Sequence, residues 1–177
     1  SDQIEYCSNR IVRTFRLDKV VKVVPGGKMR QDSVRLGLEA TNGEYEIIMI
    51  HDGVRPFVDN QLIKRCVEAA MKHRAVITAI PARETIKEVD SNGVVARTLD
   101  RSSLWLVQTP QVFRYSDIYQ AHRMAVEKSW ENVTDDAALI ERLGIPVYVI
   151  KGSERNIKIT TPFDLEVARI QIQSFGQ

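Results

Sequence analysis

Apolar and polar positions along the chain change period repeatedly, from runs that suit strands to stripes that suit helices. Lys19-Val20-Val21-Lys22-Val23-Val24 is an apolar run closed by Pro25-Gly26-Gly27, which predicts a strand and then a turn. A helix is predicted over 31–40, with Asn42-Gly43 as its stop. Residues 45–50 are almost continuously apolar, as expected for a strand covered on both faces. Asp59 or Asn60 caps the next helix, whose Leu62, Ile63, Cys66, Val67, Ala70 and Met71 form one stripe at helical spacing. Residues 75–80 predict a second covered strand, 116–128 and 134–143 two helices, and 146–150 another strand. A short extended piece follows at 156–160. Thr161-Pro162-Phe163-Asp164 opens a last helix with a Thr cap, Pro at the first position and an acid at the third. Strands alternating with helices define an α/β class, a mostly parallel twisted sheet flanked by helices, Rossmann-like in kind.

One stretch, 83–101, breaks the alternation. Asn92-Gly93 reads as a two-residue hairpin turn. With that turn, Glu88 faces Arg97, Ile86 faces Leu99 and Glu84 faces Arg101, so charges and apolar residues match across the pair. Two strands alone are marginal, so the hairpin is expected to lean on something, a second subunit being a candidate.

Composition narrows the class of protein. The 177 residues suit one domain, and 44% hydrophobic residues suffice for an ordinary core. Lys and Arg total 25 against 23 Asp and Glu, a net charge of +2, which argues against a nucleic-acid binder. Two distant cysteines, Cys7 and Cys66, suit a reduced cytoplasmic protein, and no His or Cys pair has zinc-ligand spacing. No apolar run approaches the ~20 residues of a membrane span. The start, Ser1-Asp2-Gln3-Ile4-Glu5, is unlike a signal peptide.

Five segments carry candidate chemistry. His51-Asp52-Gly53-Val54-Arg55-Pro56 follows a predicted strand, at the end where open α/β sheets bind ligands. Asp52 there suits Mg²⁺, which takes one or two carboxylates plus substrate phosphates, and Arg55 suits a phosphate; a structural Asp–Arg pair is the plainer alternative. Gly26-Gly27 before a helix that carries Asp32 and Ser33 allows close approach of backbone to an anion, although an ordinary strand-to-helix turn explains it equally well. Lys158, flanked by Ile157 and Ile159, suits a phosphate-binding cation, but the pattern alone fits a solvated lysine better. The fourth segment runs from Thr98 through Arg101 to Trp105 and on to Gln108-Thr109-Pro110-Gln111. The fifth, Val133-Thr134-Asp135-Asp136, is most simply a helix cap. His73 and His122 read as solvated or half-buried, His51 as structural and Trp105 as core. Serine-hydrolase spacing is absent.

Taken in order, these segments resemble the 2-C-methyl-D-erythritol 4-phosphate cytidylyltransferases. The matching stretches are Gly26-Gly27 with Arg30-Gln31-Asp32-Ser33-Val34, His51 to Pro56, Glu84-Thr85-Ile86-Lys87, Asp100 to Trp105, Gln108 to Gln111, Thr134-Asp135-Asp136-Ala137 and Asn156 to Thr160. The resemblance implies a nucleotidyltransferase-type fold, a homodimer, and transfer of CMP from CTP to methylerythritol phosphate with Mg²⁺ or another divalent cation. It places Gly26, Gly27, Asp32 and Ser33 on the cytidine and Asp52 on the metal and triphosphate. Arg55 and Thr109 fall near the substrate, and Thr134 and Lys158 on phosphate. The hairpin resembles the family's dimer arm, which would carry Thr85 and Arg101 into the partner's active site. Glu84 departs from the usual Asp. The family pattern also starts with a Gly-rich, Lys-bearing loop that nothing here matches, so a βαβ unit of ~30 residues or more is expected ahead of Ser1. Two rivals remain: a cytidylyltransferase for another polyol phosphate such as ribitol 5-phosphate, and a dimeric nucleotide-binding module without chemistry.

Overall fold

The computed structural model of the protein describes residues 2–130 and 133–174. The chain divides into two compact units, Ser1–Ile48 with Arg114–Ile145, and Met49–Phe113 with Pro146–Gln177.

The first unit is helical. It holds α1 (Asp2–Tyr6), which widens into a π-helical stretch at Cys7–Arg13, then α2 (Arg30–Ala40), α4 (Tyr115–Glu127) and α5 (Ala137–Arg142). α4 packs against both α2 and α5. Its buried face is Asp117, Ile118, Ala121, His122 and Ala125, a helical stripe that includes two polar residues. α2 starts at a capping box in which the Met29 N–H donates to Asp32 Oδ2 at 3.1 Å, and it stops at Asn42 and Gly43, both at positive φ. The strand expected at 19–24 does not form. A strand needs a neighbour for its N–H and C=O groups, and among the described residues none pairs with this segment; Val21 is 86% exposed.

The second unit is built on a four-stranded sheet. Strand β1 (Ile47–Ile50) leads into it, and β2 (Ala75–Pro81), β5 (Trp105–Arg114) and β6 (Tyr148–Lys151) complete it in the order β1-β5-β2-β6. Helix α3 (Asn60–Lys72) packs on β2 and β6, burying Leu62, Cys66 and Ala70, while Val67 and Met71 of the expected stripe stay exposed. Its cap is Asp59, whose Oδ1 accepts the Leu62 N–H at 2.6 Å. The α/β class is as expected, with one difference in the sheet: β6 runs parallel to β2, but β5 runs antiparallel to it. No crossover helix separates β2 from β5; the hairpin and one 3₁₀ turn (Arg101–Ser103) do, and such a return reverses the chain. β1 is half-buried along its length rather than covered on both faces.

The hairpin pairs β3 (Lys87–Val89) with β4 (Val95–Thr98), with Glu88 opposite Arg97 and the Leu99 N–H bonded to Ile86 O at 3.0 Å, in the expected register. The turn is larger than two residues. Asp90 and Val94 close it, and Asp90 Oδ1 accepts from the Asn92 and Val94 N–H groups. Gly93 sits at φ 82°, and the last rung slips to Val89 opposite Val95. The final helix, α6 (Pro162–Ser174), starts as the sequence suggests. The Thr160 and Thr161 N–H groups bond Asp164 Oδ2, which holds that carboxyl below its usual range, and Asp164 N–H returns a bond to Thr161 Oγ1.

Candidate active site

In the second unit, β1 delivers the chain to His51 and Asp52. The Asp52 side chain is only 14% exposed, and Lys158 Nζ lies 3.2 Å from its Oδ2. Arg55 Nε lies 3.8 Å from the same oxygen. Burial lowers the Arg55 pKa and the Asp52 charge pulls it back up, the net shift being downward. The guanidinium donates from Nη1 to Asn156 O at 2.8 Å, while its buried Nε has no hydrogen-bond partner among the described residues. One carboxylate therefore faces two cations in a half-buried corner, and one of those cations keeps a spare donor.

Backbone and hydroxyl bonds hold the corner. Thr109 Oγ1 accepts the Asp52 N–H at 3.0 Å and lies 3.0 Å from His51 Nδ1. His51 Nε2 lies 2.9 Å from Arg55 O. A neutral ring with its proton on Nε2 satisfies the set: Thr109 donates to Nδ1 and Nε2–H donates to Arg55 O. The Ile159 N–H bonds Val54 O at 2.8 Å, so the segment bearing Lys158 is tied beside the segment bearing Asp52.

Thr109 reaches this corner because β5 bulges. Ile77 pairs with Gln111 but Thr78 pairs with Gln108, which leaves Thr109 and Pro110 outside the ladder. Pro110, joined to Thr109 by a cis peptide, has no N–H to contribute, so a bulge is where a central strand tolerates it. The bulge turns Thr109 towards Asp52.

Thr85 and Arg101 lie at the hairpin base, both exposed. The expected Glu84–Arg101 pair is not among the described ion pairs. Arg101 Nη1 instead donates to Arg83 O at 2.7 Å, because the 3₁₀ turn that starts at Arg101 carries its side chain back along the strand end, and Arg83 pairs with Glu154. Among the described residues no bond joins Thr85 or Arg101 to Asp52 or Lys158. Trp105, expected in the core, is 41% exposed at the start of β5.

In the first unit, Gly26, Gly27, Asp32 and Ser33 do come together. The Gly27 N–H donates to Ser33 Oγ at 3.0 Å. A Cβ on Gly27 would lie 2.1 Å from Asp32 Cβ, so only glycine fits where the turn folds back on α2. A cavity of about 550 Å³ opens beside this turn, lined by Lys28, Met29, Arg30 and Asp32 with Val126 and Trp130. Thr134 is exposed and does not cap α5; that bond comes from Asp135, whose Oδ1 accepts the Ala138 N–H at 3.1 Å. Asp135 does so because α5 starts three residues later than the pattern predicts.

Sequence reasoning gave no role to three participants, although it singled out the segments that hold Asn156 and Gln108. Asn156, fully buried, donates from Nδ2 to Thr109 O at 2.7 Å. Gln108 is buried beside it. His122, expected to be solvated or half-buried, is 1% exposed and lies 3.1 Å from Asp136 Oδ1, while Arg30 Nη1 lies 2.8 Å from Asp136 Oδ2. His122 falls four residues after Ile118 on the buried face of α4, which was the available signal.

The model of the family described as IspD, 2-C-methyl-D-erythritol 4-phosphate cytidylyltransferase, matches residues 4–174. The chain belongs to this family. Among curated cytidylyltransferases of that name, the one from Syntrophus aciditrophicus (strain SB) is 48% identical over 168 residues, covering 95% of this chain and 71% of that protein. The one from Geotalea uraniireducens (strain Rf4) is 46% identical over 174 residues, covering 97% and 74%. Among solved structures, the 4-diphosphocytidyl-2C-methyl-D-erythritol synthase from Anaerococcus prevotii DSM 20548 superposes with a TM-score of 0.83 at 33% identity, covering 94% of this chain and 78% of that one. The 2-C-methyl-D-erythritol 4-phosphate cytidylyltransferase from Thermus thermophilus superposes at 0.78 with 35% identity, covering 85% and 72%. The α/β fold is thus that of the cytidylyltransferases. Among the described residues no helix is long and apolar enough to cross a membrane.

Proposed function

We propose that the chain transfers CMP from CTP to 2-C-methyl-D-erythritol 4-phosphate, with release of pyrophosphate, as one step in making isoprenoid precursors. The observation that carries this reading is the Asp52–Lys158 contact, with Arg55 against the same carboxylate, at the end of β1. An oxygen of the sugar-alcohol phosphate attacks the α-phosphorus of CTP in line. The bond from that phosphorus to the oxygen bridging the β-phosphate breaks, and pyrophosphate leaves with the electron pair. The attacking oxygen is already ionised, so no general base is required. Placement and charge neutralisation then dominate the barrier.

Lys158 is our choice for the cation that meets the charge building on the α-phosphate. Arg55, whose buried Nε makes no hydrogen bond among the described residues, is poised to bind the substrate's phosphate. Thr109 holds Asp52 by its backbone and lies near the substrate. In the first unit we assign Gly26, Gly27, Asp32 and Ser33 to the cytidine and exposed Thr134 to a phosphate. A divalent cation such as Mg²⁺ fits Asp52, a hard oxygen donor; among the described residues no cluster of three or more His, Cys, Asp or Glu forms a dedicated cage, so phosphate oxygens and water would complete its shell. When bound, the cation offsets phosphate charge.

The hairpin is the dimer arm in this reading. Every residue of β3 and β4 is exposed, and Val89, Val94 and Val95 expose half or more of their surface, which suits a contact with a second copy. Thr85 and Arg101 then serve the partner's site. The test is pyrophosphate release by the full-length protein. CTP with methylerythritol phosphate should turn over, and ribitol 5-phosphate or ATP should support far less. Release that is indifferent to the sugar-alcohol phosphate would overturn the substrate assignment, and no release from any pair would favour a binding module.

A further inference from the structure

The segment from Gly152 to Asn156 is stitched to β5 two residues before Lys158. Gln108, 6% exposed, makes a two-way clasp with Ser153: its Nε2 donates to Ser153 O at 2.8 Å, and the Ser153 N–H donates to its Oε1 at 3.2 Å. The same Nε2 lies 3.4 Å from Asn156 O. The clasp reproduces with a side chain the paired bonds of an antiparallel bridge. A Cβ on Gly152 would lie 2.3 Å from Gln108 Oε1, so any larger residue there would push the amide out of the clasp. Beyond the clasp, Asn156 Nδ2 holds Thr109 O, and Thr109 Oγ1 holds the Asp52 backbone.

Adjacent β5 residues thus grip both halves of the ion pair, Thr109 the half with Asp52 and Gln108 the half leading to Lys158. Lys158 itself is 43% exposed at its side chain, and a long aliphatic stem does not by itself place its ammonium. We infer that Gln108 is a positioning residue: through Ser153 it sets where the Lys158 ammonium stands relative to Asp52. The inference rests on the catalytic role proposed for Lys158.

The test is a double-mutant cycle on the full-length enzyme, with Gln108→Met, Lys158→Ala and the pair, read as kcat and KM with circular-dichroism melting as the folding check. Gln108→Met keeps the side-chain length and removes both bonds. A misplaced group at a reacting centre costs up to about a hundredfold, so kcat should fall at least about tenfold, with KM for CTP moving less than about threefold. In the Lys158→Ala background the same substitution should cost less than about twofold, because residues acting as one unit do not add. Gly152→Ala, which displaces the Gln108 amide from the other side, should reproduce the kcat loss, and it carries the test should Gln108→Met not fold. Losses that multiply fully in the pair, or kcat unchanged in both Gln108→Met and Gly152→Ala, would overturn the positioning role while leaving Lys158 in place. Near-normal kcat in Lys158→Ala itself would overturn the catalytic reading, and the positioning role with it.

Discussion

On the proposed reading, Asp52 and Lys158 carry the chemistry at the scale of single residues. A carboxylate oxygen 3.2 Å from an ammonium, with a guanidinium nearby, is a stable resting arrangement in a half-buried corner. It is also one that a polyphosphate can enter, since both cations prefer several phosphate oxygens to one carboxylate. Lys158→Ala should therefore lower kcat by ~10² or more, the scale of a lost transition-state donor, and turnover with saturating CTP measures it. Lys158→Arg should recover only part, because a planar fork does not replace a point charge. Near-wild-type kcat in Lys158→Ala would remove the residue from the mechanism. Cys66 offers a separate test of the core. It is fully buried on the inner face of α3, and desolvation raises its thiol pKa to about 11 from 9.0 despite the opposing Arg65 charge. A raised folded pKa means the stability it contributes is complete below about 9 and is lost as pH rises through about 11. The urea midpoint should then fall more from about pH 8 to about pH 10.5 in the parent protein than in Cys66→Ala. Equal slopes would mean that Cys66 ionises in the fold as freely as in the unfolded chain.

Elements that carry their own signals were legible, and those that depend on distant partners were not. α3 has its cap, stripe and length in one stretch of sequence, as does the reciprocal cap at Thr161 and Asp164. The segment at 19–24 has strand composition but no pairing neighbour among the described residues, and composition alone makes no ladder. β5 was missed for the opposite reason. Gln108, Thr109, Pro110 and Gln111 look like a loop, and only the bulge opposite Ile77 and Thr78 reconciles them with a central strand. In the candidate site, Asp52 and Arg55 were named because charged residues at a strand end stand out; His51 was read as structural, and Lys158 was given a role only by the family resemblance. Gln108 and Asn156 act through backbone atoms far away in sequence, which no local pattern encodes. The same holds for the Arg30–Asp136–His122 group that joins α2, α5 and α4. Asp136 is buried between two partners, and His122 Nδ1 has no hydrogen-bond partner among the described residues. Asp136→Ala would leave the ring without its remaining bond and take the carboxylate away from Arg30, so it should cost about 3 kcal/mol or more in urea unfolding. Glu39→Ala, which breaks the solvent-facing pair with Arg35, should cost less than about 0.5 kcal/mol. Equal costs would show that the buried group holds nothing together.

For the whole molecule, the order of the motifs said more than any one of them, and family membership over residues 4–174 agrees with that order. Assembly is the level at which one chain is least informative, because the hairpin's exposed valines become meaningful only against a second surface. The arm reading makes a quantitative demand. If Arg101 serves the partner's site, Arg101→Ala protein and Lys158→Ala protein are each inactive for a different reason. In a mixed dimer, the site that keeps its own Lys158 receives an intact Arg101 from the other protomer, while the second site lacks both. Equal mixing with free exchange makes half the dimers mixed, each with one working site, so about a quarter of wild-type activity should return. The two variants should be co-refolded or co-expressed to permit exchange, and the heterodimer isolated with two affinity tags. An isolated heterodimer should then show about half the activity of the wild-type dimer, since one of its two sites is whole. Activity that stays at the level of the separate variants in a verified heterodimer would mean that Arg101 works within its own chain or not at all.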